Sequence, residues 1–261
     1  MAQNKSLHDA AKQVKTGETL VSVRNLTKAF GDLLVLDNVS FDVKKGEFLC
    51  MLGPTGCGKT TFLNSLTKLY DITAGEITIC GEPVDLKKHD VSYVFQESSA
   101  MPWLTVEKNV RFGLEIKKYP EQEIRRRTDE ALETVNLTEY RHAYPRELSV
   151  SMLQRVVIAR AFATQPMLLL MDEPYGQLDL ELRYKLEDEL IGLWQRTGTT
   201  VVFITHNIEE AVYLGQRILV LTNKPTKIKE EITDDLPRPR DVTAPAFVAL
   251  RNRVTDLIKW W

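Results

Sequence analysis

Residues 20–80 alternate apolar and polar positions with a period of two. Val21 and Val23 share a face, as do Val39, Phe41 and Val43, and later Ile77 and Ile79. Turn residues punctuate these runs at Gly31-Asp32, Lys44-Lys45-Gly46 and Gly81-Glu82-Pro83, so the stretch predicts an antiparallel sheet. Farther on the pattern changes to short, unbroken apolar runs at residues 91–95, 167–171, 201–204 and 218–221. Such runs belong to parallel strands covered on both faces. Helical segments between most of them give a βαβ alternation and an α/β class. Residues 97–157 break that rhythm: they carry no strand-like run, are mostly helical, and read as an insertion, with residues 121–136 the clearest helix.

The main domain is expected over residues 19–243, between a polar extension at residues 1–18 and a tail at 244–261. In the tail, Phe247, Val248, Leu250, Val254, Leu257 and Ile258 recur near helical spacing, which predicts a helix packed on the domain.

Composition narrows the class without naming a function. The 261 residues are 43% hydrophobic and 27% charged, an ordinary globular balance. A net charge of −2 argues against a nucleic-acid surface, which leaves a basic excess. Arg125-Arg126-Arg127 is flanked by acids and reads as a solvated helix face. No run approaches the roughly 18 consecutive apolar residues of a membrane span. The first residues lack an apolar secretory core, and Cys50, Cys57 and Cys80 lack disulfide or zinc spacing. A soluble, intracellular protein is the expectation.

One stretch carries specific chemistry. Gly53, Pro54, Thr55, Gly56, Cys57, Gly58, Lys59, Thr60 and Thr61 satisfy G-x-x-x-x-G-K-[ST]. The apolar run 48–52 precedes them as a buried strand would, and a helix over residues 61–69 is expected to follow. Glycines let the backbone turn its N–H groups toward phosphate oxygens, and the helix N-terminus adds positive potential. Lys59 reaches the terminal phosphates and the Thr60 hydroxyl is placed for Mg²⁺. The pattern therefore predicts a nucleoside triphosphate site. Cys57, close to a helix N-terminus, could carry a reactive thiol, with simple small-residue packing preferred over a redox-regulatory role.

Three later strand ends complete the chemistry. Asp172 and Glu173 close the run 167–171, and ligands of a parallel sheet gather at the carboxyl ends of its strands. Asp172 can hold Mg²⁺ through water, and Glu173 can orient the attacking water for in-line displacement. His206 ends the next run and could contact the γ-phosphate. Gln96 ends the run 91–95 and can reach metal or water.

In this order the residues resemble the nucleotide-binding subunit of an ATP-binding cassette (ABC) transporter, over about residues 20–240. Residues 53–61 look like its Walker A motif, Gln96 its Q-loop, and residues 168–172 with Glu173 its Walker B strand and catalytic glutamate. Residues 175–179, ending in Asp179, look like its D-loop, His206 like its switch histidine, and Phe30 like the aromatic that stacks on adenine.

The resemblance implies a P-loop NTPase core of mainly parallel sheet, an antiparallel β subdomain and an inserted helical subdomain. It further implies ATP and Mg²⁺ as cofactors, with Thr60, Gln96 and Asp172 as metal ligands. The implied partners are a second cassette, membrane-spanning permease subunits docking near residues 96–110, and a solute-binding protein. The implied place is the cytoplasmic face of the cell membrane. Residues 101–106, MPWLTV, and 235–241, DLPRPRD, look like the nitrate, sulfonate, taurine and bicarbonate importer group.

One motif departs from the family. The stretch L-S-G-G-x-Q, which closes across a dimer onto the other subunit's ATP, here reads Leu148-Ser149-Val150-Ser151-Met152-Leu153-Gln154. Ser149 remains, with Asp179, as a cross-dimer contact, while Val150 and Ser151 replace both glycines. A β-branched valine forced to positive φ would cost roughly 1–3 kcal/mol, and about 1.4 kcal/mol is tenfold in rate. Slowed hydrolysis, or a regulatory cassette with slow turnover, is the alternative expectation.

Overall fold

The alternating residues do form strands. β1 (Thr19–Phe30) pairs antiparallel with β2 (Leu33–Lys44) and with β4 (Ala74–Ile79), and β4 pairs with the short β5 (Glu82–Pro83). Val21, Val23, Val39, Val43, Ile77 and Ile79 are all buried, because the period of two puts them on the covered face. The computed structural model describes residues 14–176, 178 and 180–258. Gln177 and Asp179 therefore lie outside the described residues, as does most of the 1–18 extension.

The chain separates into two compact units, one built on Asp9–His89 with Thr200–Trp261 and the other on Asp90–Thr199. In the first, β3 (Phe48–Leu52) lies parallel to both β8 (Thr200–Thr205) and β9 (Arg217–Leu221). Every residue of β3 and β8 is buried, as unbroken apolar runs require. A strand that the pattern did not predict, β10 (Ile228–Thr233), pairs antiparallel with β9. Only its Ile232 is fully buried, so it lacks a run to announce it.

Helix α1 (Lys59–Leu66) follows β3. Phe62, Leu63 and Leu66 face the core as expected, but the helix stops three residues short of Leu69, which is exposed. Lys68 adopts φ 55°, and the Tyr70 amide folds back to the Asn64 carbonyl at 3.0 Å. The same unit ends in helix α7 (Pro245–Ile258), which buries Phe247 and Val254.

In the other unit β6 (Val91–Val94) and β7 (Leu168–Asp172) pair in parallel. β7 is wholly buried, whereas in β6 only Val94 is, and Phe95 has left the strand and is exposed. The predicted fully buried strand 91–95 is thus shorter and half covered.

Helices α2 (Val106–Ile116), α3 (Glu121–Thr134) and α4 (Val150–Ala163) pack together, followed by α5 (Leu180–Thr197). The Thr105 side chain caps α2, and buried Asn109 ties the preceding loop to it. Its side chain accepts from the Met101 amide at 2.7 Å and donates to the Met101, Leu104 and Thr105 carbonyls.

Candidate functional site

The phosphate-loop sequence spans the turn from β3 to α1. Gly56 and Gly58 hold φ values of 78° and 117°, which residues with a side chain rarely adopt. At Gly58 even a methyl group would meet Val35 Cγ1 at 2.8 Å. The Lys59 ammonium lies over the loop and donates to the Gly53 carbonyl at 2.8 Å and the Pro54 carbonyl at 3.0 Å. Gly58 caps α1 without a side-chain hydrogen bond, and no acid sits in the first turn, so nothing of the helix's own neutralises its positive end. Thr55, Gly56 and Thr60 are exposed, and Thr61 is half-buried.

Cys57 is buried at 2% exposure, which corrects the expectation of a reactive thiol there. Its backbone is also tethered: the buried Thr226 hydroxyl donates to the Cys57 carbonyl. Thr226 comes from the turn between β9 and β10 and holds β2 as well, through its amide to Val35 and its carbonyl to the Asp37 amide. No local sequence signal marks it.

His206 is the first residue past β8, and it is exposed. Leu52 and Thr205 are register partners, and the Gly53 amide donates to the Thr205 carbonyl at 3.3 Å. The loop and the histidine therefore leave neighbouring strand ends. Phe30, the last residue of β1, is 43% exposed. Tyr70 meets it edge-on at 5.4 Å, and the Lys28 ammonium lies 4.5 Å from its ring centre.

In the second unit Val94 and Met171 are register partners, which puts Gln96 just past the end of β6 and Asp172-Glu173 at the adjoining end of β7. Asp172 is buried, and the Tyr93 hydroxyl donates to its Oδ2 at 3.3 Å. Tyr93 in turn stacks on Phe95, with ring centres 4.3 Å apart. Glu173 is half-buried and holds φ 44°. A side chain in this left-handed region marks a position the surroundings over-determine, as functional sites often do. The Glu173 carbonyl accepts from the Gly176 amide at 3.2 Å.

The altered stretch is not strained. Ser149 is the N-cap of α4 and Val150 its first helical residue, and neither Val150 nor Ser151 has a positive φ. This corrects the expected backbone cost: a right-handed first turn accepts valine. The change lies in side chains. Val150 is 60% exposed, and the Ser149 and Ser151 hydroxyls share a hydrogen bond at 3.0 Å. Ser149 Oγ also accepts from the Met152 amide at 3.3 Å.

A family model described as ABC transporter matches residues 36–176. The chain belongs to the ABC transporter family. It is an ATP-binding subunit of such a transporter, and an ATPase. It is 41% identical over 255 residues to an uncharacterised ABC transporter ATP-binding protein of Methanocaldococcus jannaschii, covering 96% of each chain. It is 39% identical over 245 residues to the aliphatic sulfonates import ATP-binding protein of Bacillus cereus, covering 92% of this chain and 96% of that one.

Among solved structures it is similar to a dimeric bacterial ABC transporter cassette, with a TM-score of 0.72 and 32% identity over 82% of this chain and 98% of that one. A second dimeric structure of that cassette, in a post-hydrolysis state bound to ADP and phosphate, matches equally well. In this ABC cassette the phosphate-loop sequence, two acidic residues and a histidine lie at strand ends. Among the described residues, no helix is long and apolar enough to cross a membrane.

Proposed function

We propose that this ATPase pairs head to tail with a second cassette, identical or homologous, and drives import of a small anion of the nitrate, sulfonate, taurine or bicarbonate kind. The observation that carries the solute class is the 39% identity, over 92% of the chain, to a protein named for aliphatic sulfonate import. The MPWLTV and DLPRPRD stretches support the same group.

In this reading residues 53–61 wrap the phosphates, Lys59 exchanges its loop carbonyls for phosphate oxygens, and Phe30 stacks on adenine. Glu173 orients the attacking water and His206 contacts the γ-phosphate. Ser149, Val150, Ser151 and Asp179 reach the nucleotide held by the partner cassette. Thr60, Gln96 and Asp172 offer hydroxyl, amide and carboxylate oxygens, a hard donor set that suits Mg²⁺. The exposed Thr60 hydroxyl and the Tyr93-held Asp172 carboxylate fit that use. Mg²⁺ held by these residues would supply positive charge against that of the phosphates.

The solute path belongs to separate permease subunits, which dock on residues 96–110 at the cytoplasmic face of the membrane, with a solute-binding protein delivering the anion. Trp103, 72% exposed in a loop held rigid by Asn109, supports a contact surface there.

The test is reconstitution with the neighbouring permease genes. ATP-dependent uptake of an alkanesulfonate or nitrate that disappears in Glu173→Gln supports the reading. Hydrolysis at parental rate in Glu173→Gln removes the site assignment, and uptake of none of the four anions removes the solute class. A cassette slowed at its own dimer face is the second reading, supported by the Ser149–Ser151 hydrogen bond.

A further inference from the structure

The DLPRPRD stretch has no part in the chemistry just described, yet it places one buried and one half-buried guanidinium in its unit. Arg240 is 7% exposed and forms an ion pair with buried Asp234 at 3.1 Å. Its guanidinium donates to the Val212 carbonyl at 2.7 Å, Tyr213 at 2.9 Å and Gly215 at 2.7 Å. Arg238 donates to the Tyr213 carbonyl at 3.0 Å and to that of Leu214. Two side chains thus satisfy four successive carbonyls at the end of helix α6 (Ile208–Leu214). Burial lowers Arg238 to about 10 and lowers Arg240 as well, so holding both cations here is costly.

The other end of α6 is gripped as firmly. Asn207 caps it, its side chain accepting from the Glu209 amide at 2.8 Å and the Glu210 amide at 3.3 Å. The Thr205 hydroxyl donates to the buried Glu210 carboxylate and accepts from the Asn207 amide at 2.9 Å. These bonds bracket His206 on both sides. The helix spans only seven residues, far below the length at which a helix holds itself in water. Arg251 adds an ion pair to Glu209 at 3.2 Å from α7.

Buried ion pairs contribute little net stability, and apolar replacements are often as stable. Their use here is geometric. We propose that Arg238 and Arg240 are positioning residues for His206: the chain segment after β10 straps α6 down from its carboxyl end, and α6 sets where the histidine leaves β8. The inference rests on the reading of His206 as a γ-phosphate contact. A cation at the helix carboxyl end also opposes the partial negative charge there, which fixes the strap's register.

The test uses the purified full chain with Arg240→Met, Arg240→Lys and Glu210→Gln, each alone and combined with His206→Ala. Arg240→Met keeps length and drops the fork, and the milder Glu210→Gln loosens the amino end of α6 if Arg240→Met does not fold. The expected result is a kcat lowered at least about tenfold with equilibrium affinity for a fluorescent ATP analogue within twofold of the parent. In either background His206→Ala should then add little, and Arg240→Lys should recover part of the rate. Parental kcat in Arg240→Met and Glu210→Gln, or a full additional loss from His206→Ala in both, overturns the strap while leaving the His206 reading in place. Parental kcat in His206→Ala alone overturns both.

Discussion

The Gly53 amide donates to the Thr205 carbonyl at 3.3 Å, tying the first residue of the phosphate loop to the residue before His206. The two lie far apart in the chain, and the parallel pairing of β3 with β8 makes them neighbours. A candidate phosphate contact and a candidate γ-phosphate sensor thereby share one sheet edge. Changes that move the loop should be felt as lost nucleotide affinity before they are felt as unfolding.

Gly58→Ala applies that idea most sharply. The added methyl meets Val35 Cγ1 at 2.8 Å, at a φ of 117° that alanine adopts only under strain. Roughly 1–3 kcal/mol of local strain is expected. Titration with a fluorescent ATP analogue should show affinity falling at least about tenfold. Calorimetry should find the chain still folded, at a lower melting temperature.

Ser151→Ala breaks the 3.0 Å hydrogen bond between the Ser151 and Ser149 hydroxyls. On the proposed head-to-tail pairing, Ser149 then has one partner fewer to give up for a nucleotide held by the second cassette. A net hydrogen bond of about 0.5–1.5 kcal/mol sets the ceiling, so steady-state ATPase should rise severalfold and by no more than about tenfold. Val150→Gly combined with Ser151→Gly should rise at least as far, and Ser149→Ala should fall.

Glu173 separates catalysis from backbone strain. Glu173→Gln should lower kcat by about 10²–10⁴ while ATP binding persists. Because the residue sits at φ 44°, Glu173→Gly should be about 1 kcal/mol more stable than Glu173→Ala and melt at a higher temperature, with loss of activity expected in both. Equal melting temperatures for the two would show that the position carries no strain.

Glu123 on α3 gives a pH signature. Hydrogen bonds from Arg126 and then Arg127 lower its carboxyl from 4.5 to about 2. A depressed carboxyl pKa means the folded state favours the charged form. The stabilisation is therefore complete above about pH 4.5 and disappears as the pH falls through about 2. Urea midpoints of Glu123→Gln should lie below the parent at pH 7, and the two curves should converge near pH 2.

Much of the site was legible because its residues are contiguous or sit at the ends of apolar runs. The phosphate loop, Asp172, Glu173 and His206 are marked by a strand immediately before them, and a buried strand needs only an unbroken apolar run. Edges of the pattern were less legible. Residues 91–95 read as fully buried, yet Tyr93 and Phe95 stack on each other and leave Phe95 outside. Helix α1 read as reaching Leu69, but the left-handed turn at Lys68 stops it at Leu66. Val150 read as strained because glycine was expected at its position. In the structure it opens a right-handed helix, a backbone that valine fits.

By itself the sequence determined the α/β alternation, the phosphate-binding turn and the order of the strand-end residues. Each depends on period, or on residues a few positions apart. Tertiary structure decided the supports. Thr226 holds the Cys57 carbonyl, Asn109 the 101–105 loop, and Arg238 with Arg240 the end of α6. A buried carbonyl must find a donor, but any well-placed side chain can supply it from any distance along the chain. That choice leaves no periodic trace and appears only once the chain is folded.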